Sequence, residues 1–133
     1  MGEEPNRLKG RGGFRRLINA LRYSYSGFRH AIRHEVAIRE ELIALAILVP
    51  VSVVLPVSNL EHLILVLTMM LVVLVEFINS AIEATVDRIS QEFHPLAAQA
   101  KDLGSAAVGI AVLMWGLSWL VIVGPVVVHW FRR

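Results

Sequence analysis

The chain has 133 residues, 56% of them hydrophobic, with 13 Lys/Arg against 11 Asp/Glu and no cysteine. So apolar a composition in so short a chain excludes an ordinary soluble domain and fits a small helical membrane protein. The missing cysteine excludes disulfides, thiolate nucleophiles and cysteine-ligated metals, and the formal charge of +2 conceals an asymmetry, since nine of the 13 Lys/Arg precede residue 42.

Residues 1–13 are rich in glycine and charge and read as a disordered basic leader. From residue 14 the pattern changes. Phe14, Leu17, Ile18, Leu21, Tyr25 and Phe28 recur at helical spacing, while Arg15, Arg16, Arg22 and Arg29 take other angles. This predicts an amphipathic helix over about 14–34, lying on the cytoplasmic membrane surface. A nucleic-acid-binding tail fits less well, because apolar residues would not then repeat with that period, and no nucleic-acid partner is expected. Residues 34–41 form a charged approach in which Glu35 and Arg39 stand i, i+4 and are placed to pair. An acid near a helix start is equally explained by the helix dipole.

A first span is expected over about 38–57. Its apolar part, 42–57, is interrupted by Pro50 and Pro56 and is short against the roughly 20 residues that cross a bilayer. It follows a long polar stretch, so it does not read as a cleaved signal peptide. A short connection without basic residues leads to a second span, about 62–87. Within that span Glu76, Asn79, Ser80, Glu83 and Asp87 fall at i, i+3, i+4, i+7 and i+11, which is one helix face. Glu76 comes about 21 Å along the helix from His62, in the cytoplasmic half of a bilayer, with Glu83 and Asp87 deeper toward the cytosol. The connection 88–102 contains Gln91-Glu92-Phe93-His94-Pro95. Pro95 marks a new helix start leading into a third span, about 97–128. On that helix Lys101 and Asp102 stand i, i+4 and i, i+3 from Ser105, and Ser105 with Gly109 gives the small-xxx-small spacing of closely packed membrane helices, with Gly104 and Val108 a weaker instance. Trp115, Trp119 and Trp130 mark an outer interface or packing positions. Counting basic residues puts the N-terminus and the 88–102 loop in the cytoplasm, against Arg132 and Arg133 at the far end.

An ionisable side chain at membrane depth costs about 2.5–3.5 kcal/mol on insertion scales, so an aligned set is a functional candidate. Carboxylates without neighbouring His or Cys favour a hard cation such as Mg²⁺, the usual companion of nucleotide phosphates. A carboxylate withdrawn from water also holds its proton more tightly, which suits a general base. Two other readings of the stripe are polar glue between helices and an ion or proton path. There is no P-loop and no protein-kinase motif set. Gly10-Arg11-Gly12-Gly13 lacks the kinase loop's spacing and precedes no strand.

The run from Glu76 through Asn79, Ser80, Glu83 and Asp87 to Arg88 resembles the signature of the prokaryotic integral-membrane diacylglycerol kinases. Ala100-Lys101-Asp102-Leu103-Gly104-Ser105-Ala106-Ala107 resembles their second signature. Arg16, Tyr23, Ser24, Glu35, Arg39 and Glu41 also fall where that family has matching residues, so the likeness covers roughly residues 14–125. The resemblance implies an all-α membrane protein, with three transmembrane helices and an N-terminal surface helix, assembled as a homotrimer with active sites shared between protomers. Residues 14–133 would be one membrane kinase domain, located in the bacterial inner membrane. The implied reaction moves the γ-phosphate of MgATP to diacylglycerol, giving phosphatidic acid. Carried over, Glu76 resembles the catalytic base and Asn79 a residue beside the reacting groups. Glu35 and Glu83 resemble metal and ATP ligands. Arg16, Tyr23, Glu92, Phe93, His94, Lys101 and Asp102 resemble the rest of the ATP site. Ser105 and Arg16, with Glu76, resemble lipid contacts. Asn19 and Ser26 stand where the family has basic residues, which weakens a phosphate-binding role for that face of the surface helix. Gram-positive relatives that prefer undecaprenol share the motifs, so a polyprenol is the alternative substrate. A small ion-conducting membrane protein is the alternative of another class.

Overall fold

The computed structural model describes residues 13–132, and all regular structure among them is helical. The elements are α1 (Gly13–His34), α2 (Val36–Val54), α3 (Asn59–Ile89) and α4 (Pro95–Phe131). The expected leader lies outside the described residues up to residue 12, and Gly13 opens α1. Among the described residues, those up to His34 form one compact unit and those from Glu35 onward a second.

In the first unit, α1 is amphipathic as its periodicity predicts, with Arg33 in its last turn, where positive charge complements the helix dipole. In the second unit, α2 begins after Glu35, whose backbone is extended (φ −100°, ψ 114°). It ends at Val54, three residues before the expected boundary. Pro56 holds Leu55 in the extended region (φ −70°, ψ 140°), which closes the helix.

The second long helix begins earlier than expected, at Asn59. Ser58 and Glu61 form a reciprocal capping box: Glu61 N donates to Ser58 Oγ at 3.3 Å and Ser58 N donates to Glu61 Oε2 at 2.7 Å. The fourth helix starts at Pro95, as the proline predicts. His94 is its cap, with Nδ1 accepting from Leu96 N at 3.2 Å. With 31 and 37 residues, α3 and α4 are about 46 and 55 Å long. Both are long and apolar enough to cross a membrane. Each exceeds a hydrocarbon core of roughly 30 Å, so their polar ends project beyond it.

α3 packs chiefly on α4 and more lightly on α2. The seam buries Leu65, Met69, Val72 and Val73 of α3 with Ala111 of α4 and Ile38 of α2. Thr68 Oγ1 and Ser118 Oγ, 2.9 Å apart, tie α3 to α4 by a hydrogen bond. The closest approach is at Gly104, where an added Cβ would collide with Asn79 Oδ1. The expected pair of small residues lies elsewhere: Ser105 and Gly109 are exposed, and Gly104 is the residue that lets these helices meet. Large apolar side chains stay exposed along both helices, among them Leu67, Met70, Leu74, Leu113, Leu117 and Leu120. So continuous an apolar surface requires a nonaqueous surrounding or further protein.

Candidate active site

The helical spacing of Glu76, Asn79, Ser80, Glu83 and Asp87 becomes one polar stripe as α3 leaves its apolar section. Asn79 is buried, 7% exposed, and Glu76, Ser80 and Glu83 are half-buried. Asp87 is exposed. Asn79 Nδ2 donates to Glu83 Oε1 at 3.1 Å, fixing one carboxylate from the turn before it. Asn79 Oδ1 is buried without a hydrogen-bond partner, pressed against Gly104 of α4. A fixed amide whose carbonyl oxygen lacks a donor is poised to accept one from a bound molecule or water.

Glu76 is the centre of a carboxylate cluster. Glu35 and Glu83 both lie within electrostatic reach of it, and so does Glu41. Glu35 is the N-cap residue of α2, yet its side chain makes no capping hydrogen bond. Its carboxylate is therefore not committed to starting the helix. Lys101 Nζ donates to Asp87 Oδ1 at 2.6 Å and also lies within electrostatic reach of Glu83. The second motif thus meets the first through Gly104 against Asn79 and Lys101 against Asp87. The anticipated neighbour of Lys101, Ser105, is exposed, as is Asp102.

Glu35 and Glu83 supply only oxygen donors, and among the described residues no group of three or more His, Cys, Asp or Glu converges as a metal site. This donor set fits a hard cation held by one or two carboxylates and completed by phosphate oxygens and water. It does not fit a metal enclosed wholly by protein.

Glu92, Phe93 and His94 line a separate hollow of about 520 Å³, with Ser90, Ile89 and Ala97. Because His94 Nδ1 accepts from the α4 backbone, the neutral ring carries its proton on Nε2 and presents a donor. Ser90 Oγ accepts from Glu92 N at 3.0 Å and shapes the turn. Lys101 and Asp102 are not among the residues lining this hollow. Arg16 and Tyr23 are exposed on α1, within the other unit.

Glu41 faces a cavity that its place at the edge of an apolar run does not announce. Its Oε2 is buried without a partner, and so is Trp115 Nε1. Both line a cavity of about 120 Å³ with Ala44, Met69, Val72 and Val112. A carboxylate and an indole facing one polar-edged cavity suit bound water. In the sequence Glu41 is an acid in the second turn of α2, beside the apolar run. Trp115 is accordingly a packing residue, whereas Trp130 is exposed.

The sequence model for prokaryotic diacylglycerol kinase matches residues 22–123. The chain belongs to that family. It is 43% identical over 110 residues to a diacylglycerol kinase of Escherichia coli (strain K12), covering 83% of this chain and 90% of the relative. It is 43% identical over 118 residues to a diacylglycerol kinase of Pseudomonas aeruginosa, covering 89% and 96%. It is 42% identical over 117 residues to one of Helicobacter pylori, covering 88% and 89%. The matched region includes every residue of the carboxylate cluster and both motifs. Family membership makes the chain a kinase of the membrane lipid class, and its two long apolar helices agree with a membrane protein.

Proposed function

We propose that the chain transfers the γ-phosphoryl group of ATP to the free hydroxyl of 1,2-diacylglycerol, giving phosphatidic acid and ADP. The observation that carries this reading is the Glu76–Asn79–Glu83 stripe, set where α3 passes from apolar to polar and locked against Gly104, in a chain 43% identical to named diacylglycerol kinases.

Glu76 is the general base. It receives the proton of the lipid hydroxyl as that oxygen bonds to the γ-phosphorus and the bond to the β-phosphate oxygen breaks. The bilayer delivers the hydroxyl at the depth of Glu76, and Ser105 and Arg16 contact the lipid, so much of the rate comes from proximity. Asn79 holds Glu83 in place and offers Oδ1 to the reacting groups. Glu35 and Glu83 would hold Mg²⁺, which when bound neutralises phosphate charge. Lys101 and Arg16 supply further positive charge to the phosphates. Tyr23, Glu92, Phe93, His94 and Asp102 bind the rest of ATP, with Glu92, Phe93 and His94 acting from the hollow that they line.

On this reading residues 14–133 are one kinase domain, and α2 is the third span, with α1 on the cytoplasmic surface of the inner membrane. Three protomers assemble so that exposed apolar faces of α3 and α4 are shared and active sites are completed between neighbours. The small buried core against so much exposed apolar surface supports assembly. The test is Glu76→Gln, which keeps the shape and removes the base. Turnover is expected to fall below detection while light scattering returns the same oligomer. Near-normal turnover in a native-sized oligomer would remove Glu76 from the base role.

A further inference from the structure

His30 and His34 stand on successive turns of α1, their ring centroids 4.5 Å apart and their planes tilted by 32°. Both are exposed, and among the described residues neither ring is held by a hydrogen bond or an ion pair. Helical steps place them within about 30° of the line opposite the apolar stripe of Phe14, Leu21, Tyr25 and Phe28. Packing against lipid therefore does not account for them. Arg16 and Tyr23 share that polar line, while Arg15, Arg22, Arg29 and Arg33 gather on one flank.

We propose that His30 and His34 form a two-histidine site for a borderline divalent cation of the Zn²⁺ class on the polar face of α1. Neutral imidazole nitrogen is a preferred ligand for Zn²⁺, Ni²⁺ and Cu²⁺. Two histidines at i, i+4 on one helix face are the spacing that brings both rings to one ion, as in helical zinc motifs. Water fills the remaining positions. Mg²⁺ seeks oxygen ligands, so the cation of phosphoryl transfer does not compete for this pair. Arg29 and Arg33 oppose a cation electrostatically, but they lie toward the flank of α1 and salt screens exposed charges. Chelation pins the last turn of α1, immediately before the Glu35 junction. The site goes beyond the kinase reading and does not depend on it.

The test is Zn²⁺ competition against a chromogenic chelator, using the full chain without a histidine tag in detergent–lipid micelles, with neither ATP nor diacylglycerol present. One saturable Zn²⁺ per chain is expected. His30→Gln and His34→Gln are each expected to weaken it at least tenfold, and the double variant Glu35→Gln/Glu83→Gln to leave it unchanged. Zn²⁺ is also expected to slow amide hydrogen exchange over residues 30–34, and His34→Gln to abolish that slowing. Because both rings are exposed, the glutamine variants keep the fold. Unchanged affinity in His30→Gln/His34→Gln, no saturable binding, or loss of binding in the carboxylate variant would each overturn the proposal.

Discussion

Gly104→Ala tests the junction of the two motifs with one methyl group. The added Cβ would overlap Asn79 Oδ1, and Asn79 cannot swing aside freely because it is buried and its amide nitrogen is bonded to Glu83 at 3.1 Å. Either α4 moves away from α3 or Asn79 releases Glu83. Overpacking of this kind costs about 1–3 kcal/mol, and the lost hydrogen bond adds about 0.5–1.5 kcal/mol if Asn79 moves. A shift near 1 Å at a positioning residue lowers turnover by about 100-fold. The assay is turnover as a function of MgATP in lipid micelles, beside thermal unfolding of the same preparation. Asn79→Ala removes the overlapping oxygen. The double variant Gly104→Ala/Asn79→Ala should therefore be more stable than the sum of the single effects predicts, a coupling of about 1 kcal/mol or more. Gly109→Ala is the control, since nothing lies within 4 Å of a Cβ there, and it should keep its stability within the protomer. A Gly104→Ala enzyme with wild-type stability and turnover would refute the reasoning. So would strict additivity in the double variant.

Glu35→Ala and Glu83→Ala should each raise the Mg²⁺ concentration needed for half-maximal turnover by tenfold or more, and unchanged Mg²⁺ titrations for both would remove the metal assignment. Thr68→Val breaks the Thr68–Ser118 hydrogen bond between α3 and α4. It should destabilise by about 0.6 kcal/mol, the average for such bonds in membrane proteins, with turnover kept. A loss above about 2 kcal/mol in unfolding experiments would mean that the pair does more than link helices.

The stripe on α3 was legible because polar residues inside an apolar run can be placed by helical period alone. Three consequences of packing were not. Ser58 and Glu61 read as part of a connection, yet their reciprocal hydrogen bonds start the helix there. Ser105 and Gly109 have the better small-residue spacing, but spacing does not say which face meets α3, and Gly104 is the residue in contact. Glu41 sits at the edge of an apolar run, and only the meeting of α2, α3 and α4 around Trp115 reveals its cavity. The site residues follow the same division. Glu76, Asn79 and Glu83 are neighbours on one helix and their grouping needed only the period. Arg16 and Tyr23 belong to another compact unit, and sequence spacing carries no information about that distance.

The measurement that bears most directly on the central claim is transfer of label from γ-labelled ATP in lipid micelles, with diacylglycerol and undecaprenol offered in separate reactions. The account predicts Mg²⁺-dependent label in phosphatidic acid, with less in the polyprenol. Stronger label in the polyprenol, or none in either lipid from a folded oligomer, would contradict it.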